Sequence, residues 1–79
     1  MDKELESLLV DYFQRGVLSL HQIAAVLKRY GVRGIFCQRF SQGDHKQFYF
    51  KFEQEVDDEC ARALIHELVT IKEMIYGKQ

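Results

Sequence analysis

The sequence predicts a small α+β domain whose elements follow the order helix, helix, β-hairpin, helix (ααββα). Three observations support this prediction. Apolar residues recur every three or four positions towards both ends of the chain, which is typical of amphipathic helices. Two central segments are rich in strand formers and flank a polar stretch that contains a glycine, as expected for a hairpin. Glycines and helix-capping residues separate the segments from one another.

The length and composition limit the size of this fold. A chain of 79 residues suits a single domain, residues 1–79, and a domain of that size buries only a little over half of its unfolded surface. The hydrophobic fraction of 47% and the charged fraction of 29% are ordinary for a folding sequence. Two cysteines cannot form a disulfide framework, so helix packing or self-association must supply the stability.

The expected location follows from what the chain lacks. No stretch approaches the roughly 18 apolar residues that a membrane span needs. Residues 1–4 do not show the basic and then apolar order of a signal peptide. We therefore expect a cytoplasmic protein without a membrane partner, in which Cys37 and Cys60 are reduced thiols among apolar neighbours.

Two helices are predicted in the first part of the chain. The first covers residues 2–14 and ends before Gly16. The second begins after Ser19, which forms a capping box with Gln22, and ends at Gly31. The residues expected on the buried faces are Leu5, Leu8, Leu9, Tyr12 and Phe13 in the first helix and Leu20, Ile23, Ala24, Leu27 and Tyr30 in the second.

A long third helix is predicted near the end of the chain. Asp57 is its expected N-cap, and Asp58 and Glu59 in its first turn suit the positive end of the helix dipole. Gly77 marks its end. Its expected apolar stripe consists of Cys60, Leu64, Leu68, Ile71 and Ile75, widened by Ala61, Ile65 and Val69.

The hairpin is predicted from residues 32–40 and 47–52, joined by the polar loop 41–46. In the second strand Phe48, Phe50 and Phe52 alternate with polar residues, so the phenylalanine row must be buried. The first strand is less decided, because Ile35 and Cys37 point one way and Val32, Phe36 and Phe40 point the other. We assign Phe36 and Phe40, together with Tyr49, to the face opposite the phenylalanine row.

The charges are distributed unevenly, although the net charge is only −1. The middle of the chain is basic, whereas acidic residues crowd the first segment and the entry to the last helix. The central basic residues are Lys28, Arg29, Arg33, Arg39, Lys46 and Lys51, with Asp44 as the one acid among them. This pattern either steers a charged ligand to the middle or draws the segments together on folding, and we favour the second interpretation.

The main functional hypothesis is a non-catalytic regulatory or adaptor protein that binds a partner through the hairpin. The helices can cover one face of a hairpin, which leaves the other face covered by an unassigned residue set, exposed for a protein partner or paired with a second copy. Pairing of hairpin edges would give a four-stranded sheet, so we favour a homodimer. The expected anchors are Phe36, Arg39, Phe40, Tyr49 and Lys51.

The alternative hypothesis is a small nucleic-acid-binding regulator that uses the basic middle. Residues 18–31 would form the first half of a helix-turn-helix, with 32–40 as recognition helix and 47–52 in a wing. Against this, Gly31 follows Ala24 too late for the tight turn. The hairpin aromatics would instead stack on single-stranded RNA or DNA, although acidic ends would repel phosphates. The candidate contacts are Lys28, Arg29, Arg33 and Lys46.

No pattern in the sequence predicts a cofactor or a reaction. Metal-ligand spacing is absent among the histidines and cysteines, which are His21, His45, His66, Cys37 and Cys60. Cys37 is the one candidate nucleophile, because Arg33 and Arg39 flank it on its own strand face. A half-buried strand cysteine is the better interpretation. We therefore expect a protein that is not an enzyme and needs no metal or other cofactor.

Overall fold

The predicted order of elements is confirmed. The computed structural model describes residues 2–40, 43 and 46–77, with the side chains of Asp2, Phe40 and Lys46 outside that description. The elements are α1 (Asp2–Gln14), α2 (Leu20–Arg29), β1 (Gly34–Phe40), β2 (Lys46–Phe52) and α3 (Asp58–Tyr76). The two strands form an antiparallel hairpin, so the chain has the α+β arrangement that the sequence indicates.

Local side-chain chemistry sets where the helices begin. The Ser19 main-chain N–H donates to Oε1 of Gln22 at 2.8 Å, and Oγ of Ser19 accepts from the Gln22 N–H at 3.2 Å. These two bonds are the predicted capping box of α2. At the start of α3, Asp57 accepts a hydrogen bond from the Cys60 N–H at 2.7 Å. Each bond satisfies a donor that the first turn of a helix leaves open.

The link between α2 and the hairpin explains why β1 begins later than predicted. The Val32 N–H donates to the Leu27 carbonyl at 3.0 Å, and the Val32 side chain is buried in the core. The Gln54 side chain donates to the Gly31 carbonyl at 2.8 Å and accepts from the Arg33 N–H at 3.3 Å. These bonds commit residues 31–33 to closing α2 and fixing the base of the hairpin, so the regular strand starts at Gly34.

One face of the hairpin packs on α1. Phe36 and Phe50 are directly opposite in the register, and their ring centroids lie 4.9 Å apart. Phe13 of α1 lies 4.9 Å from Phe36 and 5.7 Å from Phe48 between centroids. The row ends with Phe52, whose ring lies 4.8 Å from that of Phe50. We call this the inner face. The Phe13–Phe36 pair is tilted and the other three pairs are edge-to-face, and such aromatic pairs stabilise the face beyond the burial of apolar area.

Gly34 gives the Phe50 ring its space on the inner face. A Cβ atom at Gly34 would overlap that ring and would lie 2.9 Å from the Lys51 carbonyl oxygen. The φ angle of Gly34 is not positive, so the requirement for glycine here is one of volume and not of backbone conformation.

The helices and the inner face enclose one hydrophobic cluster. Its buried members are Leu5, Leu9, Tyr12, Leu18, Ile23, Val26, Leu27, Val32, Phe50, Val56, Ala61, Leu64 and Leu68. Four residues assigned to buried stripes from the sequence lie outside it. Leu20, Ala24 and Ile75 are exposed, and Val69 is half-buried without joining the cluster. Leu20 and Ile75 sit at helix ends, where they line a shallow groove with Tyr76. Within the described residues, no helix is both long and apolar enough to cross a membrane.

Candidate interaction surface on the hairpin

The second face of the hairpin, here called the outer face, is open. Directly opposite residues of an antiparallel pair share a face, and the register pairs Ile35 with Lys51, Cys37 with Tyr49, and Arg39 with Gln47. Ile35 is 51% exposed and Tyr49 is 40% exposed, whereas Phe50 on the inner face is only 4% exposed. The outer face therefore keeps large apolar side chains in contact with solvent.

The outer face is also basic. Arg39, Lys51 and Arg33 are all exposed, and alternation along the strand carries Arg33 onto the same side as Ile35. The guanidinium carbon of Arg39 lies 5.3 Å from the centroid of the Tyr49 ring, which is a cation–π contact. Because Arg39 and Tyr49 are not directly opposite in the register, this contact runs diagonally and ties the two strands together.

The cations of the outer face form no ion pair among the described side chains. The ion pairs among the described side chains join Arg15 to Asp11 and Arg29 to Glu67. Neither pair links the hairpin to the acidic ends of the sequence. Arg29, one of the central basic residues, does pair with an acid of α3, which fits attraction between segments on folding. The charges of Arg33, Arg39 and Lys51 meet no such acid among the described side chains and stay available to a ligand.

Three of the five predicted anchors lie together. Arg39, Tyr49 and Lys51 are exposed on the outer face. The assignment of Phe36 to this face is wrong, because Phe36 pairs with Phe50 and packs between Phe50 and Phe13 on the inner face. The side chain of Phe40 lies outside the described part of the chain, and only its backbone pairing with Lys46 is given.

Sequence reasoning missed Ile35 and Cys37 as outer-face residues. The sequence does contain the information. Residues opposite the buried phenylalanines of β2 share their face, and the larger apolar residues of β1 are the ones expected to be buried with them. Phe36 is one of these residues, which leaves Ile35 and Cys37 on the open side. These two residues, and not Phe36, supply the apolar part of β1 on the outer face.

The residues predicted to meet nucleic acid do not form one group in the structure. Arg29 contacts Oε2 of Glu67 in α3, and the Tyr30 hydroxyl donates to Oε1 of the same carboxylate at 2.8 Å. Lys28 is exposed near the end of α2, and Arg33 lies at the base of the outer face. The side chain of Lys46 is outside the description. Residues 34–40 form β1, so a recognition helix over 32–40 is wrong.

The thiols differ in setting. Both cysteines are free and half-buried. Burial, followed by the nearby Asp57 carboxylate, raises the pKa of the Cys60 thiol, which reduces its thiolate fraction at neutral pH. Cys37 lies on the outer face beside Tyr49. In the described part of the chain, no three His, Cys, Asp or Glu side chains come together as metal ligands would.

A second exposed apolar region lies at the far end of α3. It consists of Leu20, Met74, Ile75 and Tyr76, and Met74 is 80% exposed. The Tyr76 hydroxyl donates to the carbonyls of Val17 and Gly16 at 3.2 and 3.3 Å. These bonds tie the end of α3 to the turn between α1 and α2, so Tyr76 has a structural role there.

No protein family, curated protein or solved structure gives a match to this chain.

Proposed function

We propose that this chain is a non-catalytic regulatory or adaptor protein that binds another protein through the outer face of its hairpin. The observation that carries the proposal is the open side of a two-stranded sheet, on which Ile35 and Tyr49 stay exposed. A cytoplasmic location belongs to the proposal, because both cysteines are free thiols and thiols stay reduced in that compartment.

The layout of the outer face resembles the anatomy of protein interfaces. Apolar and aromatic side chains lie in the centre. Cys37 and Tyr49 are opposite each other there, and Ile35 lies two residues before Cys37 on the same face. Arg33 and Arg39 lie towards its two ends. Tyrosine and arginine contribute most binding energy per residue at interfaces, and a charged rim selects a partner of opposite charge. The expected partner surface therefore has an apolar centre and an acidic rim.

Nucleic-acid binding by the hairpin is the second candidate, favoured by the three exposed cations of the outer face. It needs a row of rings on which bases can stack. The described outer face offers one ring, Tyr49, because Phe36 is committed to the inner face. Arg39 already occupies one side of that ring. A protein partner fits this arrangement better than a single strand of bases.

The test of the main proposal is a selection of random peptides displayed on phage against the folded chain. The affinities of the selected peptides are then measured for the wild type and for the double variant Ile35→Thr/Tyr49→Thr. Threonine retains strand propensity but removes the apolar surface. We expect the double variant to bind at least about tenfold more weakly, as for the loss of a hot-spot residue.

The matched control is Met74→Ala in the second exposed apolar region, which should leave the affinities unchanged. Circular dichroism verifies that both variants fold. Peptides that bind the double variant as tightly as the wild type, or that depend on Met74 instead, would contradict the proposal.

An oligonucleotide titration distinguishes nucleic-acid binding from the main proposal. A labelled single-stranded 12-mer is titrated against the chain at low and at physiological salt. The main proposal expects no saturable binding. Binding that weakens steeply as salt rises and that is lost in Arg33→Gln/Arg39→Gln would favour a phosphate-contacting surface instead.

A further inference from the structure

The outward edge of β1 is an open strand edge. The sheet has two strands in the order β1-β2, and among the described helices α1 packs against β2. One side of β1 pairs with β2, and no third strand lies on its other side in the described part of the chain. An open edge presents main-chain donors and acceptors to any extended segment that can reach it.

The alternation of hydrogen-bonded and non-hydrogen-bonded residue pairs shows which main-chain N–H and C=O groups of β1 lie on that edge. The Glu53 N–H donates to the Arg33 carbonyl at 2.9 Å, so Arg33 and Glu53 form a hydrogen-bonded pair. In an antiparallel ladder such pairs alternate with pairs whose main-chain groups point away from each other. The groups of Cys37 therefore face β2, whereas those of Phe36 and Gln38 point to the open edge.

The edge lacks most of the features with which proteins prevent strand addition. β1 has seven residues in continuous register with β2, without a bulge. The chain contains no proline, and β1 itself contains no lysine. Short strands, bulges, prolines and lysines are the usual means of protecting an edge. The arginines are the exception, and their charge selects which strand can pair.

Charge decides the occupant of the edge. Arg33 and Arg39 stand six positions apart on the outer face, which is about 20 Å along a strand. Lys51 adds a third cation on the same face, opposite Ile35. A second copy of this chain would bring two more arginines to that face and repel the first two. A strand with carboxylates at the same spacing would neutralise them, since opposite charges on neighbouring strands attract.

We propose that β1 accepts an extended acidic segment of a partner protein as a third strand of the sheet. This inference rests on the proposed function and specifies its binding mode. Main-chain hydrogen bonds to Phe36 and Gln38 supply affinity. The two acidic side chains of the added strand face Arg33 and Arg39, and apolar side chains between them lie against Ile35 and Cys37.

The experiment uses the full chain labelled with ¹⁵N and two blocked heptapeptides. The first is Glu-Thr-Val-Thr-Val-Thr-Glu, which carries its acids six positions apart, and the second has lysine in place of both glutamates. Amide hydrogen exchange is followed with millimolar peptide. We expect the acidic peptide alone to slow exchange at Phe36 and Gln38 by about tenfold or more. Cys37, already bonded to β2, should not change.

Two variants test the backbone and the charges separately. Gln38→Pro removes an N–H from the open edge and should abolish binding of the acidic peptide, whereas the matched Gln38→Thr should bind as the wild type does. The doubly reversed Arg33→Glu/Arg39→Glu should bind the lysine peptide and not the acidic one. This charge swap keeps the edge donors, so it tests the proposal even if Gln38→Pro fails to fold.

Each other outcome overturns the strand-addition proposal. Binding without protection of Phe36 and Gln38 would retain the outer face as a docking surface but exclude an added strand. If neither peptide binds, strand addition is also rejected. The phage selection tests the proposed function independently of this result. Sedimentation equilibrium without peptide tests whether a second copy of the chain occupies the edge. A dimer in which the Phe36 and Gln38 amides are protected would identify that copy as the occupant and overturn the proposal.

Discussion

The two faces of the hairpin use the same alternation for different purposes. On the inner face, four phenylalanine rings of the strands join Phe13 of α1, with centroid distances of 4.8 to 5.7 Å. On the outer face one ring, Tyr49, lies under the guanidinium of Arg39, and Ile35 is more exposed than buried. Of the two hairpin faces, the inner one therefore contributes most to the free energy of folding. The outer face exposes more apolar surface than the fold requires.

The two hairpin faces differ because the described helices form a layer on only one of them. The described helices lie on one side of the two-stranded sheet, with α1 directly against β2 and α3 packed on α1 and α2. A hairpin alone is marginal in water, so burial of one face is needed for it to persist. That requirement does not call for Ile35 or Tyr49 on the other face, so their exposure supports the proposed binding surface.

The largest expected effect comes from Phe50. Phe50→Ala removes a buried ring that contacts both Phe36 and Phe52, and we expect the free energy of unfolding to fall by about 3–5 kcal/mol. Its neighbour on the outer face, Tyr49, provides the matched control, and Tyr49→Ala should cost less than about 1 kcal/mol. Urea denaturation measures both values. Because the total stability of a domain of this size is small, Phe50→Leu gives a milder second measurement. Equal costs at positions 49 and 50 would refute the contrast between the faces.

A smaller effect is expected at Phe36, which is half-buried on the inner face. Phe36→Ala should lower the free energy of unfolding by about 2 kcal/mol, because roughly half of a buried phenylalanine's contribution is lost. Ile35→Ala, one residue earlier on the outer face, should cost less than about 1 kcal/mol. Should Ile35→Ala prove as costly as Phe36→Ala in urea denaturation, the outer face must be covered in solution.

These residues also show what the sequence could and could not predict. The capping box at Ser19 and the alternation of Phe48, Phe50 and Phe52 are local signals. The structure confirms the capping box and the alternation, with Phe50 buried and Phe48 and Phe52 half-buried. The face taken by Phe36 depends on strand register, which is set by pairing across the loop, and a shift of one residue reverses every side chain. Tyr49 and Lys51 are placed correctly because they alternate with the buried row of β2, whereas Arg39 shares their face only because the register places it on the opposite side from Phe36.

The exposure of Ile75 has another cause. The helical period places Ile75 on the stripe of Leu64 and Leu68. In the last turn of α3 the neighbouring surface is the turn between α1 and α2, which Tyr76 contacts, and Ile75 is left about half exposed along the groove beside it. Which surface faces the end of a helix is a tertiary property, and periodicity alone does not contain it.

Gly34→Ala tests the packing of the inner face by adding volume to it. The new methyl group would overlap the Phe50 ring, and overpacking of this kind costs about 1–3 kcal/mol, less a small gain from the stiffer unfolded chain. We expect a net loss of about 1–2 kcal/mol in thermal or urea unfolding. In a Phe50→Leu background the cost should shrink, because the ring that meets the methyl group is gone. An unchanged cost in that background would point to the Lys51 carbonyl as the obstacle instead.

The smallest expected effect concerns the two thiols. Burial and the Asp57 carboxylate raise the pKa of Cys60, so less of it is thiolate at neutral pH and its alkylation should be slower than that of Cys37 on the open face. Rates are measured with iodoacetamide in the single-cysteine variants Cys37→Ser and Cys60→Ser. Asp57→Asn keeps an N-cap but removes the charge, so it should speed the reaction of Cys60 and leave Cys37 unchanged. If Cys37 reacts faster than glutathione at the same pH, its flanking arginines activate it, and the outer face would be a reactive site as well as an interaction surface.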